Sequence, residues 1–483
     1  MPTDGSATSD SSAASDGSVT SEDSATFDAR AASDAIATVD GAAVDATTRD
    51  AVTPPSSGQS AVHLTPIDGG PDFYSRHGFT FATGWGSVLG YQGFDDPNFF
   101  PIGVWLDCII EDAGFARLVD LGVNGISAAC GNNRYDLMRN HGLWAFVGAN
   151  ASGWEKDATN PSTPGAETVG VLTTDEPPDL TTVVDVEASV PAALKSGRLF
   201  YTNYTDALLN GDLLYKWYPP DIVKAQDVCS VDLYAMTDVA YGPSKVGQKM
   251  YGTGRDSTKD ERRRGSNYGS QIDIIRKAYV AAAASAPIGA FLETGGPMSE
   301  DTVADLITPA EMKAAAWSQI VHGARYLLYF NHSFGTTLGN YASSDNWANP
   351  IYTQSGIYAA TKTLDGQVKS VARYINSPFD GYVVYGDTPI TTPGFLAAVS
   401  PAPAVYGGID ASCHWHAGEG VHVIFASTRA SGSAANIAAT FSLANGYDGT
   451  AHEIFENRDV PIVNGQFSDT FATGHSYHAY RIQ

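Results

Sequence analysis

Acidic side chains stand at the predicted ends of two strands in this 483-residue chain. In GVLTTDEPPDL (170–180) an apolar run stops at Asp175 and Glu176 and then meets two prolines, and in PIGAFLETGGP (287–297) another stops at Glu293. A buried strand excludes charge unless something at its end uses it. Two carboxyl groups about 5–5.5 Å apart can cleave a glycosidic bond with retention, because one protonates the leaving oxygen while the other attacks the anomeric carbon.

Strand and helix patterns alternate around these carboxylates. Strands are predicted at 101–105, 122–129, 143–149, 167–176, 198–204, 228–236, 287–294 and 324–332. Helices are predicted at 111–121, 132–141, within 179–195, at 268–285 and at 355–375. Thr308, Pro309 and Glu311 form a capping box that begins one more helix, and Gly323 ends it.

This alternation predicts an α/β fold, a (β/α)8 TIM barrel, whose active site lies at the carboxyl ends of the strands. In that frame Glu176 ends strand four and Glu293 ends strand seven. A doubly wound open sheet is the competing architecture, although no glycine-rich phosphate loop follows an early strand.

Three parts are predicted along the chain: a linker over 1–70, the barrel over 71–376 and an all-β sandwich over 377–483. Residues 1–60 contain ten acidic residues, two arginines and one aromatic residue, which gives a net charge of −8. Such a segment buries too little apolar surface to offset the entropy of ordering, so we expect a disordered acidic linker. The last part consists of short strands separated by Gly, Asn, Asp and Pro.

The barrel region resembles glycoside hydrolase clan A over roughly residues 97–376. The resemblance is carried by FFPIGVW (99–105), TTDEP (173–177), FLET (291–294) and 308–333, the last being similar to the stretch before strand eight in family 5-like and family 42-like enzymes. It implies that Glu176 is the acid/base and Glu293 the nucleophile. Many clan members have Asn immediately before the acid/base, where this chain has Asp175. Its negative charge favours a proton on Glu176, which suits an acid.

Other side chains near the strand ends are candidates for binding substrate. They are Asp175, Asn203, Tyr234, Asn331, His332 and Trp154. Tyr234 is also expected to hydrogen-bond the nucleophile, as tyrosines near strand six do in the clan, and Asp232 lies beside it. A structural role is the alternative for each of these polar residues. Indoles on the loops can stack on sugar rings, whereas Trp105 and Trp317 are expected in the core.

The acidic balance of the chain excludes a nucleic-acid partner. The net charge is −25, and binding to phosphates requires a basic face. The one dense basic run, ERRRG (261–265), is predicted to be a solvated loop. No apolar run has the length of a transmembrane helix, and the N-terminus has no signal-peptide core. A long acidic leader suits a surface tether, which favours a secreted or cell-surface protein.

The four cysteines are too few for a disulfide scaffold. Cys108 and Cys130 follow neighbouring strands and can pair, whereas Cys229 and Cys413 are expected to be buried thiols. Cys413, His414 and His416 suggest a metal site in the β module, but the set has no convincing fourth ligand. A structural role is preferred for them, and neither a metal nor a cofactor is predicted.

Three hypotheses about function follow from the sequence. The first is a retaining glycoside hydrolase that acts on a poly- or oligosaccharide through Glu176 and Glu293. The alternative is a noncatalytic glycan-binding protein of the cell surface on the same scaffold, and the third is a structural surface protein. The sugar, the linkage, exo or endo action, the oligomeric state and the role of the sandwich stay open.

Overall fold

The structure is a computed structural model that describes residues 98–105, 109–129, 134–148, 167–177, 180–190, 199–204, 227–238, 242–281, 287–295, 306–331, 350–386, 391–392 and 394–483. Its first eight strands are parallel neighbours in one sheet. They are β1 (Ile102–Trp105), β2 (Gly125–Ala129), β3 (Trp144–Gly148), β4 (Thr168–Asp175), β5 (Leu199–Tyr204), β6 (Val228–Val231), β7 (Gly289–Glu293) and β8 (Tyr326–Phe330).

The order of these strands is that of a barrel. It runs β6-β5-β4-β3-β2-β1-β8-β7, and a parallel bridge between Cys229 and Ile288 brings β6 next to β7. The two ends of the sheet therefore meet, as the predicted (β/α)8 barrel requires. In a doubly wound open sheet the ends stay apart.

Helices follow most of the barrel strands. The described helices are α1 (Asp112–Leu121), α2 (Tyr135–Asn140), α3 (Leu180–Ser189), α4 (Gly242–Ser244), α5 (Lys259–Arg262), α6 (Ser266–Ala281), α7 (Pro309–Val321), α8 (Pro350–Thr353), α9 (Ser355–Ser370) and α10 (Ala372–Ile375), with a π-helical segment at Lys245–Met250. The predicted capping box of α7 is confirmed, since Thr308 and Glu311 hydrogen-bond each other's backbone N–H groups. None of the helices within the described ranges has the length and apolar character that a bilayer span requires.

Aromatic side chains fill the inside of the barrel. Phe146, Tyr201, Phe291 and Tyr326 belong to one buried cluster that contains residues of the strands and none of the helices. Gly125 makes room for them, because a Cβ atom there would lie 2.1 Å from the indole of Trp144. The barrel is thus a packed core, and only its carboxyl end is available for a site.

Ten further strands form two antiparallel sheets. They are β9 (Phe379–Val383), β10 (Thr391–Thr392), β11 (Leu396–Ser400), β12 (Ile409–His416), β13 (Val421–Thr428), β14 (Ala435–Leu443), β15 (Gly449–Glu453), β16 (Arg458–Ile462), β17 (Gln466–Thr473) and β18 (Tyr477–Ile482). Strands β11, β14 and β17 make a three-stranded sheet, and the other seven make the larger sheet. Side chains of both sheets share one core, so the predicted sandwich is confirmed.

The larger sheet is buried on both faces. Along β13, Ile424 and Ala426 join the sandwich core, whereas Val423 and Phe425 join the core of the barrel helices. Trp317 of α7 stacks on Phe425 at 5.9 Å between ring centroids. The sandwich therefore packs on the barrel, which answers a question that the sequence left open. The predicted domain boundary at 376/377 stays a prediction.

Buried charges cross the contact between barrel and sandwich. His322, which follows α7, lies with Nδ1 2.7 Å from Asp273 of α6 and Nε2 3.0 Å from Asp410 of β12. Arg429 donates to the same Asp410 oxygen at 2.7 Å, and Arg276 donates to Asp273. All five side chains are buried. Burial by itself lowers the pKa of His322, but the two carboxylates outweigh it and raise that pKa to about 9.

The cysteine and metal predictions have mixed outcomes. Cys229 and Cys413 are buried, as predicted, whereas Cys108 and Cys130 lie outside the described residues. Cys413 belongs to the sandwich core, but its neighbour His414 lies against Phe379 on the barrel side. Adjacent residues of a strand point to opposite faces, so the two do not converge on one ion.

Candidate active site

Four carboxyl groups lie together at the carboxyl end of the barrel. Asp175 ends β4 and Glu176 follows it, Asp232 follows β6, and Glu293 ends β7. Tyr234 interacts electrostatically with all four. Loss of solvent raises the pKa of Tyr234 most, and the charges of Asp232, Glu176, Asp175 and Glu293 raise it further. The charges of both predicted glutamates therefore act on the same tyrosine, and their catalytic roles stay predictions.

Glu176 has an unusual backbone conformation. Its φ of +46° lies in the left-handed region, which costs a non-glycine residue roughly 1–2 kcal/mol. Its N–H donates to the carbonyl of Asn203 at 2.8 Å, so the pairing with β5 continues one residue beyond β4. The side chain of Glu176 is exposed. Strain of this kind at a strand end is a feature of functional sites.

A chain of hydrogen bonds holds Asp175. Asn203 donates from Nδ2 to Asp175 Oδ1 at 2.9 Å and accepts from the Ser230 hydroxyl at 2.7 Å. Tyr201 contacts that hydroxyl at 2.5 Å. Asn203 is fully buried, so its amide orients Asp175 from beneath the site. Its predicted role in substrate binding stays a prediction.

Removal of this amide is expected to destabilise the protein. In Asn203→Ala, Ser230 and Asp175 each lose a buried partner, which costs about 1–3 kcal/mol. The pKa of Asp175 should also rise, because the hydrogen bond from Asn203 is what lowers it. Urea denaturation and the titration of the Asp175 carboxyl by NMR measure the two effects. An unchanged midpoint together with an unchanged titration would contradict this role.

The three carboxyl groups at the ends of β4 and β6, those of Asp175, Glu176 and Asp232, interact electrostatically. The pKa of Asp175 is raised to about 7, first by loss of solvent and then by the charge of Glu176, against the hydrogen bond from Asn203. Asp175 has an exposed surface, yet protein on its other sides displaces much of its water. The pKa of Asp232 is raised well above its ordinary range by loss of solvent, by both neighbouring charges and by a hydrogen bond shared with Glu176. These raised pKa values favour retention of a proton within the group.

Glu293 is fully buried and firmly held. Its Oε1 accepts hydrogen bonds from the Met236 N–H at 3.1 Å and from the Tyr268 hydroxyl, while Oε2 has no hydrogen-bond partner among the described residues. Loss of solvent raises the pKa of Glu293 to about 8, against the nearby Thr237 hydroxyl, the Met236 N–H and the Arg263 charge. The Thr237 oxygen lies near Glu293 without hydrogen-bond geometry.

The partner predicted for Tyr234 is wrong. Its hydroxyl donates to Asp232 at 3.4 Å, and the tyrosine that binds Glu293 is Tyr268, from the first turn of α6. No sequence signal marks Tyr268, because its position beside Glu293 depends on how α6 packs. Asp232 carried only the signal of its strand-end position.

The basic run ERRRG is not a solvated loop, and that prediction is wrong. Its first two residues, Glu261 and Arg262, are the last two of α5. The side chains of Arg262 and Arg264 are buried. Arg262 donates to the carbonyl of Asp238 at 2.8 Å, and Arg263 makes two bonds of 2.6 Å to Glu311 and one of 3.4 Å to the carbonyl of Met236. These arginines hold the segment after β6 in place, because one guanidinium group can donate to several oxygens at once. That segment contains Met236, whose N–H binds Glu293.

The remaining predicted site residues have different outcomes. Asn331 is fully buried directly after β8. His332 and Trp154 lie outside the described residues, as do the other loop indoles, Trp217 and Trp347. The core positions of Trp105 and Trp317 are confirmed, and Trp105 packs 5.2 Å from the ring of Phe291 inside the barrel.

No protein-family model and no curated protein matches this sequence. Among solved structures, the chain is similar to the α-amylase of Geobacillus thermoleovorans with a TM-score of 0.40 and 8% identity, over 80% of this chain and 98% of that one. The GH51 arabinofuranosidase of Xanthomonas axonopodis pv. citri gives 0.42 and 11%, over 76% and 89%. The family 51 α-L-arabinofuranosidase of Bifidobacterium longum gives 0.41 and 12%, over 80% and 96%. These distant likenesses carry no argument about the reaction.

Proposed function

We propose that the protein is a retaining glycoside hydrolase in which Glu176 is the acid/base and Glu293 the nucleophile. The observation that supports it is the placement of both glutamates around Tyr234 at the carboxyl end of a (β/α)8 barrel. Hydrolysis with retention requires one carboxyl group that carries a proton and one that attacks carbon.

The surroundings of each glutamate suit these roles. Met236 and Tyr268 hold Oε1 of Glu293, which leaves Oε2 to attack the anomeric carbon. As the C–O bond breaks, Glu176 gives its proton to the leaving oxygen. Water then loses a proton to Glu176 and attacks the same carbon, which releases Glu293 as a carboxylate. The charges of Asp175 and Asp232 near Glu176 favour a proton on Glu176, which suits the acid.

One observation favours a second candidate, a noncatalytic glycan-binding protein. Glu293 has no exposed surface in this conformation, and a nucleophile must touch its substrate. If the site opens no further, the exposed Asp175 and Glu176 are still able to hydrogen-bond sugar hydroxyls, and the glycan is bound without cleavage.

A panel of glycans tests the two candidates. The full chain is expected to release reducing sugar from at least one of them, and Glu176→Gln should reduce the release by about 10²- to 10⁴-fold, the usual contribution of a general acid. A 2-fluoro glycoside should label Glu293, which identifies the nucleophile. Inversion at the anomeric centre would refute the assigned roles. Equal binding by wild type and Glu176→Gln without any hydrolysis would establish the binding protein instead.

A further inference from the structure

Three potential metal ligands meet in the sandwich, far from the candidate active site in the fold. Glu453 ends β15, Glu456 lies in the turn to β16, and His478 belongs to β18. One ligand atom from each lies within 4.8 Å of the others. Glu453 and His478 are buried, whereas Glu456 is exposed.

His478 is the unusual member of this cluster. Only 4% of it is exposed, yet neither ring nitrogen has a hydrogen-bond partner within the part of the chain that the structure describes. Its Nδ1 lies 3.6 Å from Oε1 of Glu453, which is too long for a hydrogen bond. An unsatisfied buried polar group costs about 1–3 kcal/mol. A metal ion bonded to Nδ1 would remove that cost.

The separations suit a small transition metal. With bonds of about 2.0–2.1 Å, the ligand atoms of a tetrahedral zinc ion lie about 3.3 Å apart. The 3.6 Å between Nδ1 of His478 and Oε1 of Glu453 is close to that value, and Glu456 is exposed enough to move inward. We propose that Glu453, Glu456 and His478 bind one Zn²⁺ ion, with water as the fourth ligand.

Neighbouring groups orient the two carboxylates. The Ala479 N–H donates to Oε1 of Glu453 at 3.1 Å, and the Glu456 N–H donates to its Oε2. Arg458 binds Oε2 of Glu456, which leaves that carboxylate a second oxygen for the ion. An imidazole with two carboxylates is a ligand set for Zn²⁺, whereas Ca²⁺ takes oxygen ligands alone.

The ion would fix a turn that reaches the barrel. Ile454 and Phe455 lie between the two glutamates and pack on the core of the barrel helices. The ring of Phe455 lies 5.0 Å from that of Trp317 in α7. A metal that joins this turn to β18 therefore also stabilises the contact between sandwich and barrel.

Titration of the metal-free full chain with ZnCl₂ in a calorimeter tests the proposal. Wild type should bind one equivalent that Glu456→Gln lacks or binds at least about 100-fold more weakly, since even the partners of metal ligands contribute 10- to 100-fold. Glu456 is exposed, so this variant should fold. Zn²⁺ should raise the Tm of wild type and leave that of Glu456→Gln unchanged.

His452→Gln is the matched control. His452 lies on the same strand and is bound to Asp459 at 2.8 Å, outside the cluster, so its variant should bind Zn²⁺ as wild type does. Equal Zn²⁺ affinity in wild type and Glu456→Gln would overturn the site. So would equal affinities of wild type for Zn²⁺ and Ca²⁺, because they would contradict the ligand chemistry.

Discussion

Glu293→Gln is expected to lower kcat/KM for glycan hydrolysis at least about a thousandfold while the protein stays folded. Glutamine keeps the shape of glutamate and still accepts the hydrogen bonds of the Met236 N–H and the Tyr268 hydroxyl. Its neutral amide does not attack the anomeric carbon, so no glycosyl-enzyme intermediate forms. Steady-state kinetics on a substrate found in the glycan panel measure the loss.

A glutamate at the opposite end of the barrel provides the control. Glu167 is fully buried before β4 and makes two hydrogen bonds to Arg139, at 2.8 and 3.0 Å. Glu167→Gln should cost stability without a comparable loss of kcat/KM. If both variants lose activity equally, the effect belongs to folding, and the assignment of Glu293 is wrong.

The pH dependence of kcat/KM should carry the signature of a buried nucleophile. Glu293 attacks only as a carboxylate, and burial raises its pKa to about 8. The rising limb of activity should therefore be centred near that value, and activity should fall again at higher pH where the acid/base loses its proton. Tyr268→Phe removes a donor to the ionised form, so the rise should move to higher pH. A rise centred near the ordinary glutamate value of 4.5 would contradict a nucleophilic Glu293 in this environment.

His322→Gln should lower the free energy of unfolding by about 3–5 kcal/mol near pH 6, the usual cost of breaking a buried ion pair. The imidazolium lies between Asp273 and Asp410, both of which are buried. Without it, two carboxylates lose a charged partner at the contact between barrel and sandwich. Urea denaturation of wild type and variant measures the difference.

The difference in the free energy of unfolding between wild type and His322→Gln should decrease as the pH rises. The pKa of His322 is about 9 in the folded state, above its ordinary value of 6.5, so the folded state binds the proton more tightly. Its stabilisation is fully present below pH 6.5 and is lost as the pH rises through 9. The other charged or titratable side chains around it are Arg276, Tyr382 and Arg429, which remain in the variant and cancel in the difference.

A second buried histidine at the same contact provides the control. His414 donates from Nδ1 to the carbonyl of Ser377 at 2.9 Å, and burial lowers the pKa of His414 to about 3. It is neutral in the folded state, so its effect on stability appears as the pH falls below 6.5. His414→Gln should therefore leave the alkaline loss of stability intact. If His322→Gln also leaves it intact, the charged state of His322 is refuted.

The local pattern of the sequence predicted the elements well. Each of the eight barrel strands falls within a predicted range, because apolar runs and their polar or Pro/Gly boundaries are properties of neighbouring residues. The capping box of α7 was equally visible, since Thr308 and Glu311 lie one turn apart. Strand β6 was predicted too long, because the segment after Val231 is apolar yet leaves the sheet.

The local sequence pattern could not predict contacts between distant segments. Tyr268 meets Glu293 only because α6 packs beside β7, and Arg263 reaches Glu311 across 48 positions of the chain. The run ERRRG was interpreted as solvated because arginine is mostly exposed, and this average fails where carbonyls and carboxylates converge on a guanidinium.

The sequence by itself determined the barrel, the sandwich and the strand ends at which Glu176 and Glu293 stand, because these depend on hydrophobic periodicity and on residues a few positions apart. The tertiary structure alone decided that Asp232 joins the acidic group, that Glu293 is buried under Tyr268, and that His322 carries a charge between the two halves. A protonation state depends on the solvent and charges around a side chain, and these are supplied by segments that only folding brings together.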